Sequence, residues 1–265
     1  MGTISKALSL LNYFSDSVPE IGLVEFEKLT GQNKATVHRH LRELEASGYL
    51  EQNDRTKKYR LGAAVLRLAS VREQTFPVRK IVEESVDRLA LQVRELVHAS
   101  LIHSHAKSYV MSPICFRDYG KNGTRVYFSE AEILPVHATA SGLAALAFGV
   151  PSILETTLTN KLERYTDATV VDKDALIDMV SATRRRGFSQ TDQSYEAEVC
   201  SVAVPFYEDG DFATGSIAIA LPASRMNKKA KSRFVTALWQ TAQAISMELG
   251  GSVPGHVRQI WKSAA

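Results

Sequence analysis

The sequence predicts an α+β protein in two parts, a winged helix-turn-helix joined by a linker helix to a larger domain with an antiparallel sheet. Three observations predict it. Residues 21–62 hold two short amphipathic helices, a glycine turn and a basic hairpin; residues 63–77 are helical with one apolar side; and strand-like and helical runs interleave from residue 78, closing in a hairpin. The expected boundaries are 1–62, 63–77, 78–250, and a tail at 251–265. With 265 residues, 45% hydrophobic and 23% charged, the chain has material for two cores, which excludes a disordered or fibrous protein.

Ile4, Ala7, Leu8, Leu11 and Phe14 repeat at helical spacing, so a first helix is expected to roof the next two until Asp16-Ser17-Val18-Pro19 breaks it. Leu23, Phe26 and Leu29 space a second helix, and Gly31 supplies the left-handed residue that ends it. Asn33 is a good N-cap for a third, which runs to Gly48. In that helix Val37, Leu41 and Leu44 share a buried stripe, turning Ala35, His38, Arg39 and Arg42 outward. Residues 49–52 and 58–61 read as two strands around the turn 53–57, crowded by Arg55, Lys57, Lys58 and Arg60.

A helix of this width fits a DNA major groove, where Arg makes a bidentate contact to guanine and a short side chain meets a thymine methyl. His38, Arg39 and Arg42 are therefore the expected base or phosphate contacts, and Ala35 shares their face. Lys34 and Thr36 suit phosphates near the helix N-terminus, and Arg55, Lys57 and Lys58 suit the backbone or minor groove from the wing. A helical hairpin with a solvated charged face is the alternative for the third helix alone; the whole order of helices, cap and wing favours DNA. The net charge of +3 and pI of about 8.8 only permit a polyanion partner.

Downstream, a helix is expected over 77–95, strands over 96–103, 108–115 and 124–129, helices over 139–148 and 173–185, a hairpin of 199–207 and 212–221, and a last helix over 228–249. The loop 136–142 before an apolar helix is made of small residues, so a ligand can approach free N–H groups that favour an anion. Tight helix-on-sheet packing is the other use of such residues.

The run TGQNKATVHRHLRELEASGYLEQNDRTKKYRLG at 30–62 resembles the DNA-binding half of the IclR family of bacterial transcription regulators. LPVHATASGLAALA at 134–147 and GFSQTDQSYEAEVCSVAVP at 187–205 resemble two signatures of that family's effector domain. The resemblance implies a GAF-like sensor fold and a regulator that represses or activates a gene in response to a small molecule. It implies that the linker helix packs with its twin in a homodimer, or a homotetramer, on a pseudo-palindromic operator, with half-sites roughly 34 Å or multiples apart. An effector pocket is implied between Val136, His137, Ala138, Thr139, Ala140, Ser141 and Gly142 on one side and Asp192, Cys200, Ala218 and Ala220 on the other. The chain departs from the family at Glu196-Ala197-Glu198, one residue short, and at Ala218 and Ala220, where hydroxyls are common. Fewer donors then face the pocket, so the expected effector is an aromatic or longer organic acid; Tyr109, Phe116, Tyr127 and Phe128 are candidate liners.

Two rival chemistries are weaker. Ser141, His137 and Asp192 are the types of a hydrolytic triad, but no G-x-S-x-G elbow carries the serine. His103 and His105 with Cys115 or Cys200 have metal-ligand chemistry, yet no local third ligand. No cofactor motif is present. The expected compartment is the bacterial cytoplasm: the two cysteines are far apart, no signal pattern precedes the first helix, and the apolar runs fall short of the roughly 20 residues that span a bilayer.

Overall fold

Residues 2–105, 108–120 and 124–264 are described by the computed structural model, in which the chain divides into two units, Met1–Pro77 and Val78–Ala265. In the first, α1 (Thr3–Ser9) tightens into a 3-10 turn over Leu10–Tyr13. Then come α2 (Leu23–Thr30), α3 (Lys34–Ala46), the hairpin β1 (Leu50–Gln52) with β2 (Tyr59–Leu61), and α4 (Ala63–Thr75). Their core is Leu10, Ile21, Phe26, Val37, Leu41, Leu44, Leu50 and Tyr59, each contributing about 1.5–3 kcal/mol by leaving water if fully buried. Gly31, at φ 63°, ends α2 as expected, and the Asn33 side chain accepts the Thr36 N–H at 3.1 Å.

The expected first-helix stripe is buried only toward its end, where Leu11 and Phe14 pack against this core. Leu10 is the fully buried side chain, while Ile4 is 77% exposed and Leu8 is half-exposed. Winding changes from α to 3-10 at Leu10, which is turned fully inward, while Ile4 and Leu8 on α1 before it stay exposed. Leu29 is also half-exposed, because Tyr13 and Phe14 already pack edge-on against Phe26. Helix α4 buries none of its side chains.

The second unit begins with α5 (Val78–Val93), β3 (Leu96–His105), β4 (Ser108–Asp118) and β5 (Leu134–Pro135). It continues with α6 (Ala140–Phe148), α7 (Pro151–Thr159), α8 (Lys173–Arg186), β6 (Ser189–Asp192), β7 (Val199–Phe206), β8 (Gly215–Pro222), α9 (Lys228–Glu248) and α10 (Gly255–Ala264). The sheet has the order β5-β4-β3-β8-β7-β6, antiparallel at every pairing. Helices α5 and α9 cover one face; α6 lies on the other, with α7 and α8 packed on α6. Two covered faces explain why β3 is buried continuously from Leu96 to Ser100 instead of alternating.

Three expectations are corrected here. Residues 124–129 form no strand: the Phe128 ring leaves the sheet edge to lie against His98 at 4.4 Å and Phe116 at 5.4 Å, and the edge is taken by β5. Within the stretch 251–265, expected as a tail, residues Gly255–Ala264 form α10. Its Val257 and Trp261 enter the core, with Trp261 stacked on Trp239 at 6.0 Å and its indole N–H given to the Gly187 carbonyl at 2.7 Å. The closing hairpin resumes at Gly215, not Phe212, which is half-exposed. Helix α7 and strand β6 were not expected from the pattern.

Candidate functional site

The outward face of α3 carries the residues predicted for it. Lys34, Ala35, His38, Arg39 and Arg42 are exposed and Thr36 is partly so, while Val37, Leu41 and Leu44 are buried. His40 turns inward with both ring nitrogens unpaired; burial first, then the Arg39 and Lys6 charges, holds its pKa down, so it adds no charge to this face. In the wing, Asn53 Oδ1 accepts the Arg55 and Thr56 N–H groups at 3.0 and 3.2 Å, and Lys57 takes a left-handed φ of 57°.

The cations differ in their freedom. Arg42 is bonded to Glu45 at 2.9 Å, Lys58 to Glu25 at 3.3 Å, and Lys57 lies 3.9 Å from Asp54. Such exposed pairs are screened by solvent and exchange readily. Among the described residues Lys34, Arg39 and Arg55 have no acidic partner.

In the second unit the chain turns into α6 through Thr139, whose hydroxyl accepts the Gly142 N–H at 3.1 Å and donates to the Pro135 carbonyl at 2.8 Å. The first-turn N–H groups of Ala140 and Ser141 have no acceptor within the helix. Both residues line a cavity of about 50 Å³, room for a few waters as it stands. The Ser141 hydroxyl lines it, 1% exposed and without a hydrogen-bond partner.

Of the residues expected to form the pocket, Thr139, Ala140, Ser141 and Ala220 line the cavity. The others are elsewhere. Val136 is buried against the backbone of α6; His137 is fixed by the Glu163 carbonyl at 2.8 Å; Ala138 is fully buried. Gly142 lets the helix touch the Val136 backbone, and Ala218 packs in a dry cluster with Ala140, Ala144 and Ala203. Asp192 and Cys200 pair across β6 and β7, the thiol donating to the carboxylate at 3.1 Å, and they line a separate cleft with Met226, Asn227 and Lys231. Thr191 and Ser201, one step away on the same strands, border both spaces, whereas Asp192 and Cys200 border the cleft alone. Burial first, then the Asp192 carboxylate, pushes the Cys200 thiol up to about 12, so it stays protonated.

Pattern reading missed His98, Glu132, Tyr195 and Glu196, all on the cavity wall. Of the four aromatic candidates, Phe128 is a liner; Tyr127 is 74% exposed, and Tyr109 bonds Ser152 at 3.2 Å. Tyr195 donates to Glu132 at 2.6 Å, and burial, then the Glu132 charge, raises the pKa of Glu196.

His98 is buried, with Nδ1 against the Ser100 hydroxyl at 3.2 Å, and burial draws its pKa down to about 3. Its folded pKa lies below the unfolded 6.5, so the stability held by neutral His98 is complete above 6.5 and is lost as pH falls toward 3. The midpoint of thermal unfolding is expected to fall with acidification over this window, and His98→Asn is expected to make that slope shallower. An unchanged slope would assign the acid sensitivity to other groups.

The hydrolytic alternative is not assembled: His137 bonds the Glu163 carbonyl, Asp192 bonds Cys200, and Ser141 bonds neither. The His103 and His105 rings lie 6.3 Å apart, and no group of three or more His, Cys, Asp or Glu suited to a metal occurs among the described residues. No single helix is long and apolar enough to cross a membrane among the described residues.

Residues 72–247 match the profile described as bacterial transcriptional regulator IclR C-terminal, and residues 3–54 that of the IclR helix-turn-helix domain. A crystal structure of an IclR-type regulator from Silicibacter sp. is 36% identical with a TM-score of 0.85, covering 96% of this chain and 99% of that one. The HTH-type transcriptional regulator XynR of Escherichia coli is 26% identical over 94% of this chain and 97% of its own. The fold also matches an IclR homologue complexed with 4-hydroxybenzoate from Microbacterium hydrocarbonoxydans, at a TM-score of 0.73 and 22% identity over 94% and 99% of the two chains. With its helix-turn-helix half and its C-terminal half both matched, this chain belongs to the IclR family of bacterial transcriptional regulators.

Proposed function

We propose that this regulator binds a pseudo-palindromic DNA operator in the bacterial cytoplasm as a homodimer or homotetramer, and that a small organic carboxylate or aromatic effector bound at the N-terminus of α6 modulates that binding. The DNA reading is supported by the exposed face of α3, where Lys34 and Arg39 have no acidic partner. The effector reading rests on one observation: the buried, unpartnered Ser141 hydroxyl faces a cavity beside two open N–H groups. Such a helix end stabilises an anion through its N–H groups and dipole. A ligand that prefers one arrangement of the protein shifts its equilibrium by that difference in affinity, which couples the cavity to DNA.

Thermal shift with 4-hydroxybenzoate and short monocarboxylates tests the cavity, since binding the folded state alone adds about 2.7 kcal/mol at a hundredfold excess over Kd. A rise abolished by a bulky Ser141→Phe supports the reading; no rise from any carboxylate sinks it and leaves the DNA assignment standing. For DNA, Lys34→Ala is expected to weaken binding to all sequences alike and to flatten the log–log salt slope by about one unit. An unchanged slope removes Lys34 from the phosphate contacts.

A further inference from the structure

We propose that the cavity at α6 takes a zwitterion, a small molecule with a carboxylate for the helix end and a cationic nitrogen for Glu132 and Glu196. The inference rests on the effector reading above and adds the second half of the ligand. One wall of the cavity is a set of donors, the Ala140 and Ser141 N–H groups and the unpartnered Ser141 hydroxyl. Another carries two carboxylates.

Glu132 accepts one bond, from Tyr195, and Glu196 has no hydrogen-bond or ion-pair partner among the described residues. Among the described residues no Lys or Arg lines the cavity. Two partly buried carboxylates without a counterion repel each other, and the raised pKa of Glu196 reports that repulsion together with its burial. A cation placed between them removes the repulsion and supplies the missing donors.

The rest of the wall suits the same guest. Phe128 and Tyr195 line the space, and aromatic side chains attract a desolvated cation. His98 remains neutral when buried, so it does not compete as the positive group. A plain aromatic acid satisfies the helix end and leaves the carboxylate pair as it was.

The test uses the full chain near neutral pH and matched probes: 4-aminobutyrate, butyrate and butylamine; 4-(aminomethyl)benzoate and benzoate; glycine betaine; and gluconate for a polyol acid. Titration calorimetry is expected to give at least tenfold tighter binding for a zwitterion than for its matched acid or amine. Glu196→Gln is expected to erase that preference while leaving affinity for the matched acid within twofold. In the unliganded protein the same substitution is expected to raise the melting temperature, whereas a merely structural Glu196 would give a fall. Primary ammonium probes outranking betaine assign the contact to N–H donation, and the reverse assigns it to the aromatic faces; both support a zwitterion. Equal binding of butyrate or benzoate, or preference for gluconate, overturns the inference and leaves the effector site standing. Silence of every zwitterion overturns it as well, and silence of the acids too withdraws the site itself.

Discussion

Gly142→Ala is expected to destabilise the Val78–Ala265 unit by more than about 3 kcal/mol, beyond the ordinary range for an overpacked core position. Helix propensity argues the other way, since alanine is favoured over glycine inside a helix by about 1 kcal/mol. Geometry decides the sign. A Cβ on Gly142 would stand 2.3 Å from the Val136 Cα and 2.5 Å from its carbonyl oxygen. Those are backbone atoms leading out of β5, and no rotamer change moves them aside. Relief requires α6 to lift off the sheet, which opens the dry contact of Ala140 and Ala144 with Ala203 and Ala218. The readout is simple, because both tryptophans of the chain, Trp239 and Trp261, are buried in this unit. Denaturant unfolding followed by their fluorescence should show the loss, and an unchanged midpoint would mean that α6 has slack the packing does not show.

The DNA-reading half was legible because its signals are local. Asn33 caps the helix it opens, Gly31 ends the one before, and the stripe of Val37, Leu41 and Leu44 fixes which side of α3 stays free. Each depends on residues within a turn or two. The stripe of the first helix is buried only from Leu10 onward, where α winding gives way to 3-10. In the second unit the strands of the closing hairpin are readable, but the cavity is not, since its wall comes from β3, the 124–134 crossing, α6, the β6–β7 connection and β8. Sequence spacing carries no record of which of those segments meet. Asp192 and Cys200 show the limit of carrying a pocket over by position: the right strands were chosen, and one step of the pleat sent both side chains to the other cleft. The tail was misjudged because Trp261 gains its meaning only from Trp239 and Gly187, far away in the chain.

Arg39→Ala is expected to lower operator affinity by roughly 1–3 kcal/mol and to relax the preference at a single base position, the usual cost of one bidentate pair. Arg39 is chosen over Arg42 on the geometry of α3. Both stand on the exposed face, but the Arg42 guanidinium is already engaged by Glu45, whereas Arg39 has no acidic partner among the described residues. An Arg held by a neighbouring carboxylate must give up that bond before it reads a base; a free one loses only rotamer entropy. Arg39→Lys is expected to recover little, because an ammonium offers no planar fork to the guanine O6 and N7 pair. The measurement is fluorescence anisotropy on an operator selected from random duplexes, repeated on single-base variants at fixed salt, with Lys34→Ala beside it. A specificity change confined to Arg39→Ala, with a salt slope that falls only for Lys34→Ala, separates a base reader from a phosphate clamp on one helix. If Arg39→Ala instead weakens every duplex equally, Arg39 is a second clamp, and base reading passes to His38, Arg42 and the short side chain of Ala35.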